Sequence, residues 1–493
     1  MPETRTTPAA PAVLQPNLPL GVVVAMSCLA LFMVVLDSTI VTVALPDMKS
    51  GLDLSNSQQQ WIVSGYLITL GGFLLMAARA GDLYGHKRVF LFGAVVFTAA
   101  SLVGGLAGDG GVLIAARIAQ GTGAAALTPA SLSLITASHT DEHEREKALA
   151  LWSMMSGVAG LFGVVLGGVL TAEINWRWVL FVNVPPGIAL TAAGVMFLLP
   201  AAGSRETRLD LPGALCVTLG IGALSYGLSE ASGKGWGSPE VVASLVAAAV
   251  LVAAFLVVEA RSARPLIPLD LVRMRTLRVA NVFMFAVGVT LTALMFFLSL
   301  YLQQVIGYSA LRTGMAMLPV TVVFIAGGLV SRSLTPVLGP RTMLIAGGLF
   351  ATAGTAWLAT IPTHAAYVSH VLGPNMVGGF GVSIMLLAVT VSGTTGVPPQ
   401  NAGAASGLLN TSRQIGGALG LAVLVTVSSS VTSHAGGSHA HALVQGYRVA
   451  FLVISGCMLL AAIAALALPG AAAPVEKNAA EEPLDGKPVT ARP

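Results

Sequence analysis

The sequence predicts an all-α polytopic membrane protein with fourteen transmembrane helices, and three observations support this fold class. Of the 493 residues, 55% are hydrophobic and only 9% are charged, whereas a soluble domain carries about 25% charged residues. Uncharged runs of about the 20 residues that a helix needs to cross a bilayer follow one another along the chain. These runs lack the period-two alternation of membrane β-strands. An ordinary soluble enzyme and a disordered scaffold are therefore excluded.

The predicted spans are the runs that lie between charged residues. The first extends from about Leu20 to Leu45 and is interrupted only by Asp37. It is too long for the apolar region of a signal peptide, so we expect it to stay attached. The 71 uncharged residues at 342–412 must hold two spans, separated at 361–364. The other runs cover 54–78, 89–108, 118–140, 148–172, 178–204, 211–229, 241–258, 279–311, 313–331, 414–447 and 449–475.

The distribution of Lys and Arg predicts the orientation, because cytoplasmic loops of membrane proteins are enriched in these residues. If the N-terminus is cytoplasmic, nineteen of the 25 lie in inner segments, with Arg413 counted among them. Five lie in outer loops, and Arg117 lies within a span. Both termini are therefore expected to face the cytoplasm from the cell inner (plasma) membrane.

The chain is expected to divide into five segments. Residues 1–19 and 471–493 are rich in Pro and Ala and are expected to be disordered cytoplasmic tails. Between them lie a six-helix half at 20–200, an inserted pair of helices (7 and 8) at 201–260, and a second six-helix half within 261–470. This last segment opens with Arg261–Arg278, where basic residues alternate with apolar ones as in a linker that lies along the membrane surface.

Three pairs of glycine markers indicate that the two six-helix halves are related by an internal repeat. Transport proteins are often built from such repeats. The markers lie in short basic turns or in apolar spans, and each pair is separated by 254 to 258 residues. The pairs are Gly85 with Gly339, Gly121 with Gly379, and Gly163 with Gly420.

Two ionisable residues within spans are the first candidates for function. Asp37 is the only acid well inside a span, where a charge costs about 2.5–3.5 kcal/mol on insertion scales. Because burial disfavours the charged carboxylate, Asp37 is a natural proton carrier; alternatively, it caps or hydrogen-bonds a neighbouring helix. Arg117 needs an acceptor, for which Asp37 and backbone carbonyls are candidates, unless its side chain reaches out to the loop at Asp109.

Glu173 and Glu230, at outer ends of spans, are expected to be solvated.

The turn after the second span combines an acid, a glycine and two basic residues: Asp82, Gly85, Lys87 and Arg88. Glycine permits a tight turn. The acid can lie against a helix N-terminus or a basic partner in the other half. Alternatively, the turn only sets the topology through its positive charge.

The fifth predicted span carries a face of small residues. At about 100° per residue its five glycines fall within about 140° of arc. Such a face lets another helix approach closely, so packing is the expected role. The glycines are Gly157, Gly160, Gly163, Gly167 and Gly168.

Together these stretches resemble the fourteen-helix drug:proton antiporters of the major facilitator superfamily, over about residues 20–468. The turn at 78–88 resembles the superfamily's inner loop between helices 2 and 3, and the glycine face resembles its antiporter motif. Other matching stretches are 36–46 in span one, 117–125 in span four, 176–187 at the start of span six and 410–420 in span thirteen. The chain departs from the family pattern at Thr42, Ala78, Leu83, His86 and Val164.

The resemblance implies a proton-coupled antiporter that exports amphipathic or lipophilic organic compounds, including drugs and antibiotics, by alternating access between the halves. Asp37 and Arg117 would then serve proton coupling, the 82–88 turn would be a conformational latch, and the glycine face would mark an exporter. The alternatives are a proton-coupled importer of a small nutrient or peptide and a non-transporting receptor. A mostly apolar substrate cavity is expected near the midplane. Its candidate lining residues are Asn281, Tyr301, Gln303 and Asn375.

Composition also limits the partners. The net charge of +4 is too dilute to wrap nucleic acid. The three cysteines lie in apolar stretches and offer neither a disulfide framework nor a zinc site. No GxxxxGK[ST] loop is present, so ATP is not expected to drive the protein. We expect no enzymatic activity, no metal and no cofactor. The expected partners are the lipid bilayer, protons and a small-molecule substrate, with no obligate protein partner and a monomeric state.

Overall fold

The computed structural model describes residues 20–138, 141–199, 210–261, 271, 273–363, 366–397 and 402–468. Over these residues the fold is all-helical, as the sequence predicts. The predicted tails at 1–19 and 471–493 and most of the predicted linker Arg261–Arg278 lie outside the described residues.

The first part of the chain forms seven helices. They are α1 (Leu20–Gly51), α2 (Asn56–Tyr84), α3 (His86–Gly105), α4 (Gly110–Ser138), α5 (Glu142–Glu173), α6 (Trp178–Phe181) and α7 (Val184–Phe197). The short α6 and α7 together form one segment of membrane length, Trp178–Phe197. Pro185 and Pro186 fit in the first turn of α7, because N–H groups there have no helical partner. Ser55 caps α2 by accepting from the backbone N–H of Gln58.

The described residues of the second part of the chain include seven longer helices. They are α8 (Leu211–Lys234), α9 (Pro239–Arg261), α10 (Arg275–Leu300), α11 (Ala310–Leu358), α12 (Gly373–Thr394), α13 (Ala402–His434) and α14 (His439–Ala464). A π-helical turn at Tyr301–Val305 extends α10, and another at Val368–Leu372 precedes α12.

Twelve helical segments of the described chain are long and apolar enough to cross a membrane. One of them, α11, has 49 residues, about 74 Å of helix, whereas the hydrocarbon layer is about 30 Å thick. Its backbone leaves helical geometry at Gly339, where φ is 79° and ψ is 154°. The 29-residue α4 is not among the twelve; it contains the buried polar residues Arg117 and Gln120.

In the predicted orientation the bundle has an outer end and an inner end. The outer end carries the connection between α1 and α2, and the inner end carries the connection between α2 and α3 at Gly85. Gly85 has φ 90° and ψ 137°, close to the values at Gly339. A positive φ of this kind strains any residue with a Cβ, so the two glycine markers mark equivalent turns.

The repeat extends to helix contacts. Gly123 of α4 packs against the backbone of α3 at Phe97, and Gly381 of α12 packs in the same way against α11 at Ala351. Residues 97 and 351 are themselves 254 apart. Gly163 of α5 faces α1, while its counterpart in the repeat, on α13, faces α10. The same glycine thus permits the same close approach in both parts of the fold.

The two parts touch at the outer end. Ser299 Oγ donates a hydrogen bond to the carbonyl oxygen of Thr42 at 3.4 Å, and Gln303 Nε2 donates to that of Val43 at 3.1 Å. These bonds join α10 to α1. Nearby, a Cβ added to Gly168 of α5 would lie 2.8 Å from the backbone of α11. The outer end is therefore closed by direct contacts between the parts.

The glycine face of α5 is in contact only toward the outer end. Gly163 and Gly167 pack against α1, and Gly168 packs against α11. Gly157 and Gly160, which lie closer to the inner end, would meet no atom within 4 Å if they carried a Cβ. The expected packing is therefore not seen at these two residues, because no other described residue comes close to that side of α5 there.

We expect Gly163→Ala to lower the melting temperature. The added methyl group would overlap Thr39 Oγ1 and lie 2.9 Å from the carbonyl oxygen of Leu36, and overpacking typically costs about 1–3 kcal/mol. Gly160→Ala adds the same group to the same helix in open space and should not lower the melting temperature. Thermal unfolding of both variants in detergent measures the difference. Equal melting temperatures would contradict the close contact between α5 and α1.

Candidate functional site

The centre of the candidate site is an ion pair between α1 and α4. Asp37 is fully buried, and Arg117 is 1% exposed. Arg117 Nη1 lies 2.5 Å from Asp37 Oδ2. The side chain of Arg117 therefore does not reach out to the loop at Asp109. Because the two residues are 80 positions apart, helix packing rather than local structure brings them together.

Two amide side chains complete the set of donors around the carboxylate. Gln120 Nε2 donates to Asp37 Oδ1 at 2.7 Å, and Asn183 Nδ2 donates to the same oxygen at 2.9 Å. The Gln120 amide also donates to Ser101 Oγ on α3 at 2.6 Å. Asn183 lies in the break between α6 and α7. The carboxylate thus connects α1 with α4 and the α6–α7 segment, and with α3 through Gln120.

The guanidinium of Arg117 is held by further contacts. Its Nε donates to the carbonyl oxygen of Ile62 on α2 at 3.1 Å, and its Nη1 donates to Gln120 Oε1 at 2.5 Å. Its carbon Cζ lies 4.3 Å from the centre of the Tyr66 ring, a cation–π geometry. Tyr66 in turn donates from its hydroxyl to the carbonyl oxygen of Val34 on α1 at 3.1 Å.

Of the acceptors expected for Arg117, the structure contains both Asp37 and a backbone carbonyl. Three side-chain donors face the Asp37 carboxylate. Loss of either charge would leave the other one buried and short of a partner. In the sequence, Gln120, Asn183 and Tyr66 are distinguished only as polar residues within apolar spans. Such polar groups need hydrogen-bond partners when they are buried.

Within the described residues, the 82–88 turn makes no ion pair with the second part of the chain. The Asp82 side chain is 75% exposed, and His86 Nε2 lies 3.9 Å from its Oδ1 on the same turn. Lys87 donates to the carbonyl oxygens of Val195 and Leu198 at the end of α7, and Arg88 is exposed. The expected contact of the acid with a basic partner in the other half is therefore absent from the described residues in this conformation.

The four candidate cavity residues do not line one site. Asn281 and Tyr301 are 20 residues apart on α10 and its π-helical extension, about 30 Å along the axis. Asn281 accepts from Ser412 Oγ at 2.6 Å, toward the inner end. Tyr301 donates to the carbonyl oxygen of Pro362 at the outer end, at 2.7 Å. Gln303 and Asn375 also lie toward the outer end, where their helices begin or finish.

An apolar groove of about 340 Å³ lies elsewhere, among α2, α3 and α4. It shares no residue with the four predicted cavity residues. Residues that line it include Phe73, Met76 and Ala80 of α2, Arg88, Val89 and Phe92 of α3, and Thr122 and Ala126 of α4.

The count of basic residues placed Arg413 in an inner segment, and this placement is wrong. It lies eleven residues inside α13, and Thr411 beside it donates to the carbonyl oxygen of Gly71 on α2 at 3.1 Å. The uncharged run at 414–447 has 34 residues, far more than one span needs. The helix ends at His434, so the part of this run that exceeds one span lies in the connection to α14 and in the start of α14.

Glu230 is engaged at the outer end rather than free. It accepts from Ser57 Oγ at 2.6 Å and lies 3.3 Å from Lys234 Nζ. Hydrogen bonds from Lys234 to Glu240 and to Glu230 raise the pKa of that lysine. Glu230 is therefore tied to a cation and to α2, and it is not simply solvated as expected.

The chain matches a family profile and named proteins over most of its length. The profile of the Major Facilitator Superfamily matches residues 27–421. The chain is 39% identical over 454 residues to the cephamycin export protein CmcT of Amycolatopsis lactamdurans, covering 91% of this chain and 92% of that protein. It is 38% identical over 451 residues to the puromycin resistance protein pur8 of Streptomyces alboniger, with 89% of each covered.

A solved structure shares the fold. The crystal structure of a bacterial homolog of the human lysosomal transporter Spinster, in an inward-facing and occupied conformation, superposes with a TM-score of 0.66. It covers 90% of this chain and 96% of that one at 16% identity. At that identity the likeness concerns the fold alone.

We expect Arg117→Met to destabilise the protein strongly, because it leaves the Asp37 carboxylate buried without its cation. Removing one partner of a buried pair costs about 3–5 kcal/mol. The double variant Asp37→Asn with Arg117→Met contains no buried charge at this position and should recover most of that loss. Chemical denaturation of the two single variants and the double variant in detergent measures the coupling. Additive losses would show that the two side chains do not interact.

Proposed function

The chain belongs to the Major Facilitator Superfamily and is a multi-pass membrane transporter rather than an enzyme; on this premise we propose that it exports amphipathic or lipophilic organic compounds, antibiotics among them, in exchange for protons. Two relatives that match nearly the whole chain are named for antibiotic export or resistance. The observation that carries proton coupling is the buried Asp37–Arg117 pair. It is a proton acceptor whose charge state and helix contacts change together.

In the proposed cycle a proton from outside neutralises Asp37. The carboxyl group then no longer attracts Arg117, and the amides of Gln120 and Asn183 lose a charged acceptor. Charge-assisted hydrogen bonds are about twice as strong as neutral ones, so the contacts among α1, α4 and the α6–α7 segment weaken. Release of the proton to the inside restores the ion pair. Asp37 and Arg117 are thus proposed to be the coupling residues.

Alternating access is proposed to occur between an N-terminal half at 20–200 and a C-terminal half within 261–470. Contacts at the outer end and open space beside Gly157 and Gly160 support an inward-facing state for this conformation. In the opposite state the inner ends would approach. Asp82, Gly85, Lys87 and Arg88 would then act as a latch, and the glycine face of α5 would close along its whole length.

We also propose that fourteen helices cross the membrane. Division of α11 at Gly339 and inclusion of α4 would add two spans to the twelve that length and hydropathy support. α8 and α9 fall between the repeated parts, since none of the glycine markers lies in them, so residues 201–260 would form an inserted hairpin. An even number of spans and the distribution of Lys and Arg support cytoplasmic termini in the cell inner membrane.

We expect Asp37→Asn to abolish proton-driven export while the protein remains folded and inserted. An amide of the same size cannot take up a proton at the pH values of the cell. Asp53→Asn is the matched control, because it makes the same change in the exposed turn between α1 and α2, at a φ of 48° that Asn tolerates. Drug efflux from energised cells, at equal abundance of each protein, measures the effect.

Efflux by the Asp37→Asn variant at the wild-type rate would remove Asp37 from the coupling mechanism. Uptake of the tested compounds by the wild-type protein when an inward proton gradient is imposed would instead favour an importer.

Proton stoichiometry sets the energetics. If Asp37 is the sole coupling carboxylate, one proton enters for each substrate that leaves. Export of a monovalent cation then moves no net charge, so only the pH gradient drives it, at about 1.4 kcal/mol per pH unit. Export of a neutral compound moves one positive charge inward and gains about 2.3 kcal/mol per 100 mV of membrane potential as well.

Transport in proteoliposomes, under a pH gradient with and without a potassium-diffusion potential, distinguishes these cases. A permanently charged monovalent cation such as ethidium should be exported independently of the potential. A strong dependence on the potential would require a second coupled proton, for which Glu230 and Glu173 are the remaining candidates, and the single-carboxylate scheme would be wrong.

A further inference from the structure

A second cation, Arg413, lies near the middle of the bundle. Arg413 lies eleven residues inside α13, about 16 Å along the helix. Thr411 bonds to Gly71, and Gly417 packs against Leu67. Arg413 is therefore level with residues 67–71, which are the middle of the 29-residue α2.

The neighbours of Arg413 on α13 show where its side chain lies. Gln414 packs against α2, while Ser412 bonds to Asn281 of α10 and Gly416 packs against the backbone of α10. At about 100° per residue, position 413 lies between these two contact faces. The side chain is half-buried. Arg413 therefore occupies the wedge between α2 and α10, where the two halves meet.

Arg413 lacks an anionic partner within the described part of the chain. Its Nη2 donates to Asn410 Oδ1 at 2.9 Å, on its own helix. No carboxylate of the described residues lies within ion-pairing distance of it, and the buried acid of α1, Asp37, is occupied by Arg117. A guanidinium has five N–H donors, so most of this one's hydrogen-bonding capacity is available to a ligand.

We propose that Arg413 binds an acidic group of the exported compound, so that organic carboxylates belong to the substrate class. A cation at membrane depth is costly unless an anion or water accompanies it, and the described residues offer no anion. The planar fork of a guanidinium matches a carboxylate with two parallel hydrogen bonds. This inference rests on the proposed export function and specifies its substrate.

The test uses the purified full-length protein and a set of ligands with one aromatic body. Equilibrium binding is measured for 1-naphthylacetate, which is an anion, and for its neutral methyl ester. We expect the wild-type protein to bind the carboxylate at least tenfold more tightly than the ester. Arg413→Gln should remove this preference while leaving affinity for the ester unchanged, and Arg413→Lys should retain part of it.

Arg332→Gln is the matched control, since it removes one positive charge from an exposed position on α11; it should behave as the wild-type protein does. Equal losses for acid and ester in Arg413→Gln would indicate a structural role and overturn the proposal. So would a wild-type protein that binds neither ligand or shows no preference. Proton-driven export of a neutral or cationic compound, measured separately in proteoliposomes, would in that case leave the proposed export function standing. Failure of all proton-driven export would remove that function whatever the binding result.

Discussion

Asp37 of α1 and Arg117 of α4 face each other in an apolar layer where neither charge is stable alone. The desolvation cost of each charge is offset only by the other charge and by well-placed hydrogen-bond donors. Their neighbours follow from this constraint. Gln120 and Asn183 satisfy the carboxylate, Ser101 satisfies Gln120, and the Ile62 carbonyl satisfies the guanidinium. These bonds hold four membrane segments and α2 in one arrangement. A change of charge at the pair therefore reaches most of the N-terminal half.

The helix α2 contacts both the ion pair and the helix that carries Arg413. The ring of Tyr66 lies under Arg117, and its hydroxyl bonds to the backbone of α1. The carbonyl oxygen of Ile62 accepts from Arg117. Further along the same helix, α2 packs along α13 through Gly71 and Gly417.

Small residues decide how closely α5 approaches its neighbours. Gly163, Gly167 and Gly168 bring the backbone of α5 into contact with α1 and α11, and close approach of this kind replaces the hydrophobic driving force that soluble helices use. Gly157 and Gly160 continue the same stripe where no other described residue covers it. The two ends of one glycine stripe therefore have different surroundings in this conformation.

The sequence by itself determined that the fold is an all-helical membrane fold, because hydropathy is a local property of the chain. Charges inside spans are local too, so it singled out Asp37 and Arg117, and it gave Asp37 as one candidate acceptor for Arg117. Only the tertiary structure decided that Asp37 has three donors, that Gly157 and Gly160 are uncovered, and that the four expected cavity residues are spread along the bundle. It also showed that Arg413 lies within a helix and not in a loop. These features depend on how each helix is rotated, and how deep it lies, against helices that are up to hundreds of residues away in the chain. A local sequence pattern contains neither quantity.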